Sequence, residues 1–176
     1  NPGQRELPFC IHTRYSTQQA ILEDIVASLY AQGMRKLIII SGHGGNNFKG
    51  MIRDLAFVYP DFLIIATDWF SIVSPKGYFE AEIDDHAGES ETSVMMHYHP
   101  ELVNLDEAGD GKSKPFAIPS LNEKVGWAPR HWDKATIDSG VGNPRKASAE
   151  KGAHYVKPVI EKLAQLFTEV GQGELY

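Results

Sequence analysis

Two stretches of the sequence combine histidine with residues that often accompany it in enzyme sites. The first is SGHGGN, residues 41–46, in which His43 stands between glycines. The second is DDHAGESETS, residues 84–93, which surrounds His86 with four carboxylates: Asp84, Asp85, Glu89 and Glu91. Imidazole and carboxylate together suit Zn²⁺ or Mn²⁺, and a histidine can also transfer protons. These residue types indicate a metal site, acid–base catalysis or both.

The stretch SGHGGN allows three interpretations. A phosphate-binding P-loop would need a longer glycine loop ending in Lys and Ser or Thr, and this sequence has neither, although backbone N–H groups could still bind an anion. An isolated histidine in such a position is more often part of a tight turn. The third interpretation is a metal ligand, and the flanking glycines would allow close backbone approach and unusual φ angles.

The stretch DDHAGESETS also has a purely structural interpretation. Acidic residues at a helix N-terminus are stabilised by the helix dipole, so this could be a solvated acidic loop. That interpretation accounts for Glu89 and Glu91 but gives no reason for His86 beside them. A histidine and a glutamate five residues apart could instead serve as proton donor and metal ligand, respectively. No HExxH pattern is present, so the spacing leaves both interpretations open.

Further aromatic and histidine residues lie outside these stretches. Trp127 and Trp132 fall in an irregular segment, where two tryptophans are costly to expose, and they indicate a pocket or a subunit interface. His97 and His99 lie near the end of a predicted helix, where histidine interacts favourably with the dipole. We therefore expect a structural role for these two histidines.

The elements around the two stretches predict an α/β fold. Apolar residues at helical spacing predict a helix over residues 17–32, with Ser16 and Gln19 as a capping box and Gly33 as its stop. Apolar runs and helical spacing further along predict strands over 36–41 and 62–67, a helix over 48–58, a helix after the loop 84–93 and a last helix over 147–170. In that last helix Pro158 is a candidate break, and we expect a buried side formed by Val156, Val159, Ile160, Leu163 and Leu166.

The order of these elements predicts where a ligand would bind. Alternating helices and buried strands indicate a parallel sheet with helices on its faces, so we expect both faces of the first strand to be covered. Ligands bind beyond the carboxyl ends of such strands. His43 follows the first strand and Asp68 the second, so both should lie at one edge. Residues 105–144 lack long periodic segments, and we expect them to form a lid or an interface that determines specificity.

Composition excludes several classes of protein. The net charge of -6, with scattered basic residues, argues against nucleic acid as a partner. No apolar stretch approaches the roughly 18 residues that a membrane span needs. The single cysteine, Cys10, excludes an internal disulfide and fits a reducing compartment, so we expect a cytoplasmic protein.

Three stretches together resemble the creatininase family: SGHGGN, HAGESETS and GVGNPRKASAEKG, in that order. The resemblance covers nearly the whole chain. It implies a three-layer α/β/α fold with a mainly parallel sheet and a site with two divalent metal ions, Zn or Mn. It also implies metal-dependent hydrolysis of a non-peptide C–N bond in a small-molecule amide or formamide, by a protein that forms a homo-oligomer.

The resemblance also implies roles for particular residues. His43 matches the family's histidine metal ligand, His86 its acid–base histidine, and Glu91 a glutamate at the metal site. We further expect the substrate to contact five residues: Gly44, Gly45, Asn46, Trp127 and Trp132.

Two departures from the family pattern qualify this interpretation. Creatininase carries a glutamate at the position of Gly45, which argues against creatinine as the substrate. The family also places a Glu-x-His pair and an aspartate ahead of SGHGGN, and no such motif follows Asn1. We therefore expect residues 1–176 to form a single creatininase-like domain from which an N-terminal metal-binding segment is absent. The alternative is a non-catalytic binding or assembly subunit that keeps the fold without a full set of metal ligands.

Overall fold

The computed structural model describes residues 2–174. Its α-helices are Tyr15–Ala31 (α1), Lys49–Val58 (α2), Glu89–Tyr98 (α3), Pro119–Asn122 (α4), Trp132–Ala135 (α5) and Ala149–Gln172 (α6). Its strands are Lys36–Ser41 (β1), Leu63–Asp68 (β2), Asp84–His86 (β3) and Val141–Gly142 (β4). Within this part of the chain, no helix combines the length and the apolar character needed to span a membrane.

The chain divides into two compact units. Among the described residues, the first unit comprises 13–74 and 159–174, and the second comprises 2–12 and 75–158. Helix α6 belongs to the second unit up to Pro158 and to the first unit after it. The single domain expected over residues 1–176 stays a prediction.

The first unit contains the predicted parallel strand pair. Strands β1 and β2 run parallel in a register that begins with Lys36 opposite Leu63 and ends with Ser41 opposite Asp68. Helices α1 and α2 supply four of the six residues of the buried core: Leu22, Val26, Met51, Leu55, Phe62 and Ile64. A parallel pair joined by a helix is an α/β arrangement, as predicted, while the three-layer architecture stays a prediction.

The prediction that β1 is covered on both faces is wrong for the described chain. Leu37 and Ile39 pack against the core of the first unit, but Ile40 is 50% exposed. Successive side chains of a strand point to opposite faces, and helices α1 and α2 contribute their buried residues to one core. Only the face that carries Leu37 and Ile39 is therefore packed against that core.

The predicted stop of α1 is confirmed, but its predicted start is wrong. Gly33 has a φ of 87°, its N–H donates to the Tyr30 carbonyl, and the Met34 N–H donates to the Leu29 carbonyl. This pair of hydrogen bonds is the Schellman motif that a C-terminal glycine allows. At the other end the N-cap is Arg14 rather than Ser16, with no side-chain cap. The Gln19 side chain donates to Asp54 of α2 instead of capping the helix.

The second unit contains a strand where the sequence predicted a loop. Asp84–His86 pairs antiparallel with Val141–Gly142. Gly142 has a φ of 119°, and a side chain there would press against the backbone of β3, so this pairing depends on glycine. Residues 105–144 otherwise form loops with the short helices α4 and α5, as the lack of periodicity indicated.

Helix α6 is continuous through Pro158, so the candidate break is absent. Val156 and Val159 are buried as predicted, but Ile160 is 49% exposed. The C-terminal end of the helix is tied to β1 within the first unit, since the Lys36 ammonium donates to the carbonyls of Val170 and Gly173, both at 2.6 Å. A cation there also interacts favourably with the helix dipole.

Candidate functional site

The stretch that carries His43 forms a turn at the carboxyl end of β1. The buried Ser41 hydroxyl donates to the His43 carbonyl at 3.1 Å, and the Asn46 N–H donates to the same oxygen at 3.1 Å. Gly44, Gly45 and Asn46 are exposed. Gly42 and Gly44 both lack a positive φ, so the turn does not use the unusual angles that the glycines would allow. The tight-turn interpretation is thus correct for the backbone, and the imidazole's role as a ligand stays a prediction.

Asp68 lies at the same sheet edge as this turn, as the sequence predicted. Ser41 and Asp68 are opposite each other in the last register pair of β1 and β2. Asp68 and Asn46 line a cleft of about 290 Å³ in the first unit, together with the basic residues Lys49 and Arg53. The carboxyl end of β2 and the turn that follows β1 therefore border a cleft with both charged and apolar walls.

His86 and Glu91 meet in the second unit. The imidazole Nδ1 lies 3.7 Å from Glu91 Oε2, and both side chains are about one third exposed. Glu91 Oε2 also accepts a 2.7 Å hydrogen bond from the Ala87 N–H. Ala87 has a φ of 49°, a left-handed conformation that is uncommon without glycine and that turns the chain from β3 into α3. The five-residue spacing thus brings the predicted proton donor and the predicted ligand together.

Trp132 packs against His86, whereas Trp127 does not take part in this cluster. Trp132 is only 7% exposed, and its ring meets the His86 ring edge to face with centroids 5.1 Å apart. The Arg130 guanidinium lies over the Trp132 ring at 4.7 Å and pairs with Asp85 at 2.7 Å. Trp127 is 86% exposed. Trp132 is therefore a buried residue beside His86, and a pocket, interface or substrate-binding role of either tryptophan stays a prediction.

A buried ion pair beside this cluster was not predicted. Glu89 is fully buried, and its Oε1 lies 2.5 Å from the Lys151 ammonium. Its Oε2 accepts hydrogen bonds from the N–H groups of Glu80 and Ala81 at 2.9 and 2.8 Å. Burial by itself would raise the pKa of Glu89, but Lys151 and the two N–H donors outweigh it and leave the pKa below its ordinary value. The interpretation of Glu89 as a solvated residue is wrong.

A second cleft borders Glu91. It has a volume of about 360 Å³ and lies within the second unit. Its walls come from Ala87, from α3 and from the segments 102–111 and 138–144, and its apolar side chains are Ala87, Met95, Leu102, Val103, Leu105, Ala108 and Pro144. The two ends of the segment that was expected to determine specificity, residues 105–111 and 138–144, therefore border a space next to a candidate site residue.

The types of donor side chain in the structure suit a metal ion, but too few of them lie together to hold one. In the first unit His43 and Asp68 follow two strands whose carboxyl ends lie side by side, and in the second unit the His86 imidazole faces the Glu91 carboxylate. Nitrogen and oxygen donors of this kind suit Zn or Mn. Between residues 2 and 174, however, no three His, Cys, Asp or Glu side chains are grouped so that they could hold a metal ion.

Comparison with known sequences identifies relatives over most of the chain. The profile of the Creatininase family, described as creatinine amidohydrolase, matches residues 1–167. The mycofactocin precursor peptide peptidase of Mycobacterium ulcerans (strain Agy99) is 31% identical over 131 residues, which cover 72% of this chain and 45% of that protein. The creatinine amidohydrolase of Pseudomonas putida is 25% identical over 170 residues, covering 88% of this chain and 63% of the relative. The chain spans less than two thirds of the length of these relatives.

Solved structures give the same picture of the fold. A crystal structure from Bacteroides fragilis NCTC 9343, provisionally assigned as a creatinine amidohydrolase, is 82% identical with a TM-score of 0.96, covering all of this chain and 70% of its own. A single-substitution variant of creatininase in a Zn–Zn form is 22% identical with a TM-score of 0.73, covering 96% of this chain and 69% of its own. The second likeness concerns the fold alone.

Proposed function

Because the chain belongs to the creatininase family, we propose that the complete protein hydrolyses a non-peptide C–N bond, in an amide or a formamide, of a small molecule. The observation that carries this proposal is the pairing of His86 with Glu91, 3.7 Å apart at the start of α3. The similarity to creatinine amidohydrolase supports the reaction class.

We assign two residues of this chain as metal ligands, His43 and Glu91. When bound, Zn or Mn, two per complete site, would supply Lewis acidity that polarises the substrate carbonyl. The Zn–Zn form of a creatininase supports the choice of metal. Since no three candidate donors group together within residues 2–174, the proposal requires further ligands from outside the described part of the chain.

His86 delivers a proton to the departing nitrogen. This step is needed because an amide anion is a poor leaving group, and a positioned imidazole can protonate the nitrogen as the C–N bond breaks. Two neighbours orient the ring, since Glu91 faces Nδ1 at 3.7 Å and Trp132 meets the ring edge to face. These two neighbours therefore hold the imidazole in one orientation before the substrate binds.

The remainder of the substrate occupies the cleft beside Glu91. Seven apolar side chains line this cleft together with the carboxylates of Glu91 and Asp138, and no Lys, Arg or His stands among its lining residues. Such a lining suits an apolar, uncharged substituent rather than an anionic one. Gly45, where creatininase carries a glutamate, supports a substrate other than creatinine.

The test is to replace His86 in the complete protein and to assay a panel of small amides and formamides, creatinine included. His86→Ala should keep the bound metal and lower kcat by about 10²–10⁴-fold, the usual range for loss of a general acid. The matched control is His99→Ala, because His99 is exposed and pairs only with the neighbouring Glu101 among the described contacts. Equal activity of the two variants would disprove the role of His86. A wild-type protein that hydrolyses none of the panel would contradict the reaction class.

A further inference from the structure

The Lys151 ammonium donates hydrogen bonds to three acceptors of the second unit. It donates to Glu89 Oε1 at 2.5 Å, to Glu80 Oε1 at 3.0 Å and to the Lys146 carbonyl at 3.0 Å. An ammonium has three donors, so these three acceptors satisfy it. The hydrogen bonds to Glu89 and Glu80 raise the pKa of Lys151. The side chain is thus a fixed, charged tie between α6 and the start of α3.

The position of Lys151 in α6 is unfavourable for a cation by itself. Lys151 lies in the first turn of α6, where a cation opposes the helix dipole. Neither the helix dipole nor solvation favours a lysine there with its ammonium turned toward a buried group. The compensating partner is Glu89, which has no exposed surface and would otherwise be a buried charge without a counterion.

Glu89 in turn holds one end of the segment that carries His86. Its Oε2 accepts hydrogen bonds from the N–H groups of Glu80 and Ala81. At the other end of the segment, Glu91, two positions after Glu89, accepts a hydrogen bond from the N–H of Ala87. Between these anchors the Asp84 carboxylate accepts from the Ser90 N–H at 3.1 Å. Residues 80–87, which include His86, are thereby tied to the first turn of α3 at both ends.

Helices α3 and α6 are also locked together at the same point. The Ser93 hydroxyl donates to the Glu89 carbonyl at 2.6 Å and accepts from the Ser148 N–H at 3.2 Å. A methyl group on Gly152 would overlap the backbone of Ser93, so the two helices are in direct backbone contact there. Lys151, the residue before Gly152, therefore reaches Glu89 across a close and fixed distance.

We propose that Lys151 is a positioning residue for the reaction: by neutralising buried Glu89, it lets that carboxylate anchor residues 80–81 and so aligns His86 with Glu91. Lys151 acts through Glu89 and needs no contact with the substrate. Because the part of this inference that concerns turnover rests on the proposed hydrolase function, the test has one readout that depends on activity and one that does not.

The experiment compares Lys151→Met with Lys146→Met in the complete protein. Lys146 pairs with the same Glu80, but its side chain is 65% exposed, which makes it a matched control. Lys151→Met should accelerate backbone hydrogen exchange across residues 80–91. It should also lower kcat by about 10- to 100-fold with little change in KM, as expected for a displaced catalytic group. Lys146→Met should match wild type in both readouts, and Lys151→Arg should recover part of the loss.

Two results would overturn the proposal. The first is that Lys151→Met exchanges its backbone hydrogens across residues 80–91 at the wild-type rate. The second is that Lys151→Met exchanges faster than wild type there, but has a kcat no lower than that of Lys146→Met. If Lys151→Met fails to fold, the double variant Glu89→Gln with Lys151→Met removes the unpaired charge and takes its place. Its exchange across 80–91 should still exceed that of wild type, and wild-type exchange would again overturn the proposal. Should wild type hydrolyse no amide, the proposed function fails, while the exchange readout still decides whether Lys151 anchors this segment.

Discussion

Glu89 and Glu91 stand two residues apart in the first turn of α3 and have different surroundings. Glu89 is fully buried, paired with Lys151 and occupied on both oxygens. Glu91 is about one third exposed, faces His86 and borders the larger cleft. The helix dipole favours both carboxylates equally, so it is burial that separates them. Glu89 therefore holds backbone N–H groups, whereas Glu91 is accessible from the cleft, as its proposed role as a ligand requires.

Sequence spacing could predict one of these two environments. The separation of five positions between His86 and Glu91, across a loop-to-helix boundary, allowed the two side chains to act together, and the family resemblance favoured that interpretation. The partner of Glu89 lies 62 residues further on, and nothing local marks it. Lys151 belongs to a stretch that resembled the family, yet a lysine in a first helical turn reads as an ordinary surface residue. Long-range ion pairs of this kind require the structure.

The acid dependence of stability should reflect Glu80. Hydrogen bonds from Lys146 and Lys151 lower the pKa of Glu80 to about 2, from an ordinary value of 4.5. A carboxyl whose pKa is depressed on folding stabilises the protein above its unfolded pKa, and that contribution is lost as the pH falls through the folded pKa. Between pH 4.5 and 2, wild type should therefore lose more stability than Glu80→Gln in urea titrations. Because Glu80 is exposed, the difference should be modest and should shrink in high salt. Parallel curves for the two proteins would contradict the assignment.

At the scale of elements, the sequence predicted the segments that are long enough to show a hydrophobic pattern. Strand β1 has the predicted bounds, 36–41, because a continuous β-branched run between a helix stop and a glycine turn is unambiguous. Strands β3 and β4 have three and two residues, so they are too short to show a period. Their pairing depends on Gly142, whose backbone conformation no spacing rule indicates. The strand that carries His86 was therefore predicted as a loop.

The cleft beside Glu91 gives a test at the same scale. Leu105 is half-buried and lines this cleft, so Leu105→Trp should fill part of the 360 Å³ without a new buried charge. We expect KM for the best amide of the panel to rise, with a smaller effect on kcat, because the substituent and not the reacting bond loses its space. Val125→Trp is the control, since Val125 lies in the same irregular region and is 78% exposed. Similar KM values in the two variants would show that the substrate does not use the cleft.

At the scale of the whole molecule, the candidate donors are distributed along the chain. His43 and Asp68 follow the two strands of the first unit, and His86 and Glu91 lie in the second. Their residue types suit a metal site, but no group of three forms within residues 2–174. The chain also spans only part of the length of its relatives. The proposed metal-dependent hydrolase activity therefore concerns the complete protein, and it has to be tested with the complete protein.

The most direct test is the metal content of the complete native protein, measured by elemental analysis of wild type, His43→Ala and His99→Ala. Wild type and His99→Ala should each contain about two Zn or Mn ions per subunit, the stoichiometry of a two-metal site. His43→Ala should contain fewer. An unchanged metal content in His43→Ala would exclude His43 as a ligand. Absence of metal from wild type would contradict the account as a whole and would favour a binding or assembly subunit that keeps the fold.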